Sequence, residues 1–551
     1  MIKKYMPWII IFLSLLLGTI TLATTWITDY SASKWGLISY LPITFWIGLG
    51  LIISLVYIGR KSTAILVIST ALLVFYLYAI PTLINEQSVE FSLPSYFTYG
   101  EGILLAKTGH LITGLDTAII RYHNWPAFLY FTALLSKITG ISNYSIPHYF
   151  PILNASLLTL FSFGILRVRF KTRLALIGTM WVLAISFYPL LFFAPQGLGI
   201  ILTLAIFLLL TRGYFHHSLS PPSLAITILL FLGLTMMHVF TALAIVFAVG
   251  IIYILSRLFS QQRRAGFLTV VIVFGIIFAA YMIYATSPIF KLGIQSVYNT
   301  IFGQGGNPLS SMLHPPSNAS KYLYWTFICS YIIVGLNIII GGLSILYAMV
   351  RGKNTRANYV LWIGWTGGIL LAGSFAFESD GWLRAFSLGL IPVSFLCVSF
   401  LAKKERVLIA GLAILLILNI PAHYGNVLRI DRTVTNSELA GREFYSEHVP
   451  LDSVLFYQGY ELSWSSDPVR AKIPVLYLSM VSANPKIPDI MFRPNVSADK
   501  VIHQEAEYII DSTIEREEEK YILGFDFMES LDLNSWTNRV YDNGRLQTYK
   551  Q

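Results

Sequence analysis

Runs of roughly 17–25 predominantly apolar residues recur along most of this chain, and no other feature restricts its fold as much. A hydrocarbon layer about 30 Å thick offers backbone N–H and C=O groups no water, so the chain must satisfy them internally, and a helix of that length does so. Composition agrees. Of 551 residues, 55% are hydrophobic and 12% charged, which excludes an ordinary soluble protein. The net charge of +10 invites a nucleic-acid reading. Most Lys and Arg, however, sit in short clusters between apolar runs, where they report topology. No nucleic-acid partner is expected.

The basic clusters orient the chain. Lys3 and Lys4 place the N-terminus in the cytoplasm by the positive-inside rule. The first 26 residues have the basic-then-apolar look of a signal peptide. Their apolar part is long and lacks a clean small-residue cleavage site, so a retained helix is expected. Spans follow at about 7–27, 36–59 and 63–84, with Arg60 and Lys61 in a cytoplasmic turn. The stretch 125–139 is apolar but short. If it crossed as well as 146–166, the cluster Arg167, Arg169, Lys171 and Arg173 would lie outside, against the rule. It therefore reads as a helix lying in the outer interface, anchored by Trp125 and Tyr130. Further spans are expected at 174–193, 197–211, 222–238, 239–256, 266–286, 322–350, 359–376, 385–401 and 407–421, for thirteen in all. The fold class is thus mainly α: a polytopic bundle with outer juxtamembrane helices, in a cell membrane, with lipid as its solvent.

Composition shifts near residue 422. The predicted domains are a membrane domain, 1–422, with its first outer loop at 85–145, and a charged extracytoplasmic α/β domain, 423–551. Strands are expected at 453–457, 475–479, 508–511, 539–541 and 546–549, with a helical stretch at 513–520. Asp542-Asn543-Gly544 is a hairpin turn signal. Cys329 and Cys397 both fall in apolar runs, so neither a disulfide framework nor a zinc spacing is present.

Acidic residues are scarce before the tail, which makes a short list of possible bases. Glu101 and Asp116 lie in the first outer loop with Lys107, His110, Arg121 and His123. A carboxylate there can take a proton from a hydroxyl within hydrogen-bond reach. Solvated capping residues would look the same. Glu378, Asp380 and Arg384 lie in a later outer loop, and Arg384 at a helix start suits a phosphate. His238 occupies a tight helical hairpin, and His314 is the titratable group of a Gly- and Pro-rich outer loop. Phosphate-loop, nucleophile-elbow and zinc-protease motifs are all missing.

The stretches YGEGILLAKTGHLITG and YHNWPAFLYFTALLSKITGIS, the basic-ended span ILRVRFKTR and a tail ending NRVYDNGRLQTYK together resemble the GT-C superfamily of membrane glycosyltransferases. That superfamily includes protein O-mannosyltransferases, aminoarabinose transferases and oligosaccharyltransferase catalytic subunits. The resemblance implies sugar transfer from a polyprenyl phosphate- or diphosphate-linked donor to a glycan, lipid or protein acceptor, with inversion. By position, Glu101 matches the family's catalytic acid, and Arg384 its donor-phosphate ligand, with Lys107 and His238 as possible helpers. His123 and Pro126 match a His–Pro-type signature ahead of the interfacial helix. Two departures stand out. Tyr99 and Gly100 occupy positions where the family commonly has acids. The second outer loop, Ala194-Pro-Gln-Gly197, also lacks the acidic motif of metal-dependent members. The motif leaves the cofactor unknown and a divalent metal unsupported, and the base stays open between Glu101 and Asp116. The rival readings are a polysaccharide polymerase or ligase without an acidic base, and a flippase or transporter of lipid-linked sugars.

Overall fold

The structure, a computed structural model, describes residues 2–25, 36–84, 125–141, 145–186, 193–216, 219–259, 267–285, 321–351, 353–374 and 381–424. It also describes scattered positions between 95 and 109, and five strands of the tail. The helices before the long first interval are α1 (Ile2–Thr24), α2 (Ile43–Gly59), α3 (Thr63–Val74) and α4 (Ile80–Leu83). After it come α5 (Ala127–Thr139), α6 (Ser145–Arg167), α7 (Thr172–Ile185), α8 (Pro195–Phe215), α9 (Pro221–Thr235), α10 (Val239–Phe259) and α11 (Phe267–Tyr284). The last five are α12 (Lys321–Val350), α13 (Lys353–Ser374), α14 (Gly381–Leu388), α15 (Leu390–Leu401) and α16 (Glu405–Tyr424).

Among the described residues, eight helical segments are long and apolar enough to cross a membrane, while α2, α5, α7, α9 and α15 are apolar but shorter. Their outward faces carry large apolar residues, among them Tyr5, Trp8 and Phe12 on α1, Leu268, Ile272 and Ile276 on α11, and Ile338 and Ile339 on α12. Rows of this kind belong against lipid. By contrast, α8 is mostly buried and runs through the centre, whereas α11 is mostly exposed. The chain is a mainly helical polytopic membrane bundle.

Three helix boundaries differ from the sequence expectation. The run 36–59 divides into a 3₁₀ turn (Gly36–Tyr40) and α2, because Pro42 excludes a continuous helix before it. The run 174–193 stops being helical at Ile185, ahead of Pro189. Ser186 is extended there, and the Asn419 amide of α16 donates to the carbonyls of Ala184 and Ser186, both at 3.0 Å. Finally, α16 continues past Pro421 to Tyr424. Between α3 and α4 lies a π-helical turn, Phe75–Ala79. The Tyr424 hydroxyl reaches the carbonyls of Tyr76 (3.1 Å) and Leu77 (3.2 Å) within that turn, so backbone groups displaced from ordinary helix pairing gain a donor.

The two ends of the bundle are chemically distinct. At one end, Arg173 donates to the Lys61 carbonyl, Arg169 stacks over Phe215 at 5.0 Å, and the Tyr214 hydroxyl donates to the Ala357 carbonyl. The intervals assigned one side by their basic residues therefore meet in space. Between the ends, aromatic rings stack through the core: Phe207 on Trp365 at 3.5 Å, and Trp362 on Phe395 at 4.0 Å. The indole of Trp181 donates to Asn337 at 2.9 Å.

In the tail, β1 (Leu455–Tyr457), β2 (Val475–Tyr477), β3 (Tyr508–Ser512), β4 (Asn538–Asp542) and β5 (Leu546–Lys550) make one sheet of order β2-β1-β3-β5-β4. The first three strands are parallel to one another, and β5 is antiparallel to both β3 and β4. All five predicted strands are present. The helical stretch expected at 513–520 lies outside the described residues.

Candidate functional site at the rim of the bundle

Helix α5 begins directly after Trp125-Pro126 and ends at Gly140, whose φ of 70° is left-handed and whose N–H returns to the Ser136 carbonyl at 2.9 Å. Its 13 residues rise roughly 20 Å at 1.5 Å each, short of a hydrocarbon layer of about 30 Å. Phe128, Leu129, Thr132, Ala133 and Ser136 are buried on one face, while Tyr130, Leu134 and Ile138 lie exposed on the other. A polar terminus and an outward apolar stripe suit a helix lying along an interface.

Three intervals far apart in sequence converge on the buried face of α5. The described residues of 98–106 are helical and press on it. A Cβ at Gly102 would collide with the Thr132 side chain, so only glycine permits that approach. Tyr99, Ile103, Phe128, Phe150, Phe193 and Met237 form one apolar cluster. Phe193 leads into α8, and its ring lies 4.7 Å from that of Phe128 and 5.9 Å from that of Tyr99. The third interval is the turn between α9 and α10, where the Met236 carbonyl accepts from the Ala127 N–H at 3.1 Å.

His238 sits in that turn, half-buried beside the first turn of α8, where a Cβ on Gly199 would come within 3.6 Å of the His238 Cβ. Its Nδ1 accepts the Thr241 backbone N–H at 3.3 Å and lies 2.7 Å from the Thr241 hydroxyl. An acceptor role for Nδ1 assigns the proton of a neutral ring to Nε2, making that edge a hydrogen-bond donor.

His238 is the sequence-predicted site residue whose side chain is described. Glu101, Lys107, His110, Asp116, Arg121, His123, His314, Glu378 and Asp380 lie outside the described residues. Arg384 falls within α14, of which only the backbone is described at that point. Among the described residues, no three His, Cys, Asp or Glu side chains gather as a metal site. Sequence reasoning passed over Ser95, Thr98 and Phe193, which tie the first interval to the second. Small hydroxyl residues and a lone Phe carry no motif from which that pairing could be read.

No model of a known protein family matches this chain, and no curated protein matches it in sequence. Among solved structures it is similar to archaeal oligosaccharyltransferase AglB from Archaeoglobus fulgidus, captured in complex with an inhibitory peptide and a dolichol-phosphate. The likeness has a TM-score of 0.53 and covers 86% of this chain and 72% of that one. The chain shares the fold of that transferase. At 12% identity the likeness is one of architecture. The mainly helical polytopic bundle expected from the sequence is therefore present.

Proposed function

We propose that this chain is a membrane glycosyltransferase that moves a sugar from a polyprenyl phosphate- or diphosphate-linked donor to an acceptor at the outer face. The observation that carries this reading is the GT-C fold, since AglB was solved with both a peptide and a dolichol-phosphate. The convergence of the first interval, the start of α8 and the 236–238 turn supports it by supplying a rim where such a lipid headgroup could meet an acceptor. In this reading thirteen segments cross the membrane. The tail from 423 onward is a separate domain that shapes acceptor recognition.

The chemistry is an in-line displacement. The acceptor hydroxyl oxygen attacks the anomeric carbon, its proton passes to the carboxylate of Glu101 or Asp116, and the bond from that carbon to the phosphate oxygen breaks. The electron pair leaves with the phosphate. Arg384, with Lys107 and the Nε2 edge of His238, offsets the charge building there. The lipid tail stays among the helices while transfer takes place above them.

Two measurements test the reading. A photoreactive dolichyl phosphate is expected to cross-link to the first interval, the 236–241 turn or α14; cross-links confined to the basic end near Lys61 and Ala357 would overturn it. In membranes supplied with a panel of dolichyl phosphate- and diphosphate-linked sugars, Glu101→Gln or Asp116→Asn should lower turnover by about 10²–10⁴-fold. Full activity in both variants would favour a polymerase or ligase that works without an acidic base.

A further inference from the structure

The backbone of Phe193 is gripped at both of its polar groups by one short stretch of chain. Its N–H donates to the Ser95 hydroxyl oxygen at 3.0 Å, and its carbonyl accepts from the Thr98 hydroxyl at 3.0 Å. The Thr98 hydroxyl also lies 3.3 Å from the Ser95 carbonyl, and Ser95, Thr98 and Phe193 are all fully buried. A buried peptide group must find partners, ordinarily within its own helix or sheet. Here a residue ahead of a helix finds them on side chains 98 and 95 positions earlier in the sequence. The ring of the same residue packs against Phe128 and, at 5.0 Å, Phe150. Phe193 is thus where the first interval, α5, α6 and the start of α8 come together.

We infer that Ser95 and Thr98 are positioning residues for sugar transfer. They fix the described helical residues between 98 and 103 against the start of α8, and Glu101 follows Thr98 by three positions in the sequence. The inference rests on the proposed function, in which Glu101 is one of the two candidate bases. Apolar contact alone would bury the same surface, but it would leave the segment able to roll or slide. A donor to the carbonyl and an acceptor from the N–H of one residue set both rotation and register. A general base must come within about 2.6–3.2 Å of the proton it takes. A displacement of about 1 Å can lower the rate by about 10²-fold.

The test uses the full-length protein in membranes and compares Thr98→Val, Thr98→Ser and Ser95→Ala with the wild type. Turnover of the dolichyl-linked sugar panel is measured alongside amide hydrogen exchange over 95–106 and at Phe193. Thr98→Val is expected to lower kcat by about 10–100-fold with KM within about twofold, and to speed exchange across the segment. Thr98→Ser, which keeps the donor, should restore both. A Thr98→Val protein with wild-type kcat overturns the inference, as does a Thr98→Ser protein that fails to recover. If Thr98→Val does not fold, Ser95→Ala removes the acceptor of the Phe193 N–H, and unchanged kcat and exchange in that variant would refute the clamp. A wild-type protein that turns over no donor sinks the functional reading itself. An active wild type with an indifferent clamp sinks only the positioning role.

Discussion

Asn419 and His423 stand one turn apart on α16, both buried, and they are expected to respond to substitution with opposite sign. The Asn419 amide supplies the carbonyls of Ala184 and Ser186 where α7 has run out of helical partners. Asn419→Leu keeps the volume but leaves two buried acceptors without a donor. That should cost about 1–2 kcal/mol, between the soluble-protein penalty and the smaller couplings measured in membrane bundles. His423 packs edge-on against Tyr78 and Tyr424, with ring centroids 5.3 and 5.2 Å away, and neither ring nitrogen has a hydrogen-bond partner among the described residues. His423→Phe retains the aromatic packing and removes two unsatisfied polar atoms, so it should leave stability unchanged or raise it. Denaturant titration in bicelles measures both. A loss in His423→Phe as large as that in Asn419→Leu would mean that the imidazole has a partner in the folded protein.

At the scale of elements, close backbone approach decides what the apolar pattern cannot. Helices α10 and α13 lie so near one another that a Cβ on Gly368 would overlap the backbone of Ala248. Backbone cannot rotate away as a side chain can, so Gly368→Ala should cost about 1–3 kcal/mol or more. Gly250→Ala is the control on α10. Nothing lies within 4 Å of its added methyl, so the intrinsic preference for Ala should make it neutral or stabilising by up to about 1 kcal/mol. Thermal unfolding in detergent should separate the two; equal melting shifts would remove the packing argument. The same distinction explains which elements were legible in the sequence. Apolar length located the helices, and β-rich runs located all five strands. The π turn at Phe75–Ala79 was not legible, because its residues are as apolar as their neighbours and its hydrogen-bond partner, the Tyr424 hydroxyl, stands near the other end of the membrane-embedded chain. The early stop of α7 had only Pro189 as a signal, and the apolar residues around it read as continuous span.

For the whole molecule, charge segregation pointed to a candidate rim, but how that rim is assembled was not legible. Scarcity of acids reduced the candidate chemistry to a few residues, whereas the pairing of Ser95 and Thr98 with Phe193 joins neutral side chains to a distant backbone without any periodic trace. The segregation also makes a prediction about sidedness. Lys61 accepts from Arg173 at the basic end, whereas Lys137 is exposed on α5 beside the converged rim. By the positive-inside rule the first end is expected in the cytoplasm, with α5 and the tail outside. Native Cys397 is buried and Cys329 is half-buried within α12, so single cysteines introduced elsewhere can be read against a low background. In intact cells, a membrane-impermeant maleimide should label Lys137→Cys and Lys550→Cys, and should label Lys61→Cys only after permeabilisation. A Lys137→Cys protein labelled, like Lys61→Cys, only after permeabilisation would require the short apolar helix to cross the membrane. The cluster from Arg167 to Arg173 would then move outside, and the rim would lose its common face. Labelling of Lys61→Cys alone in intact cells would instead invert the whole bundle, leaving its packing intact but placing the proposed transfer in the cytoplasm.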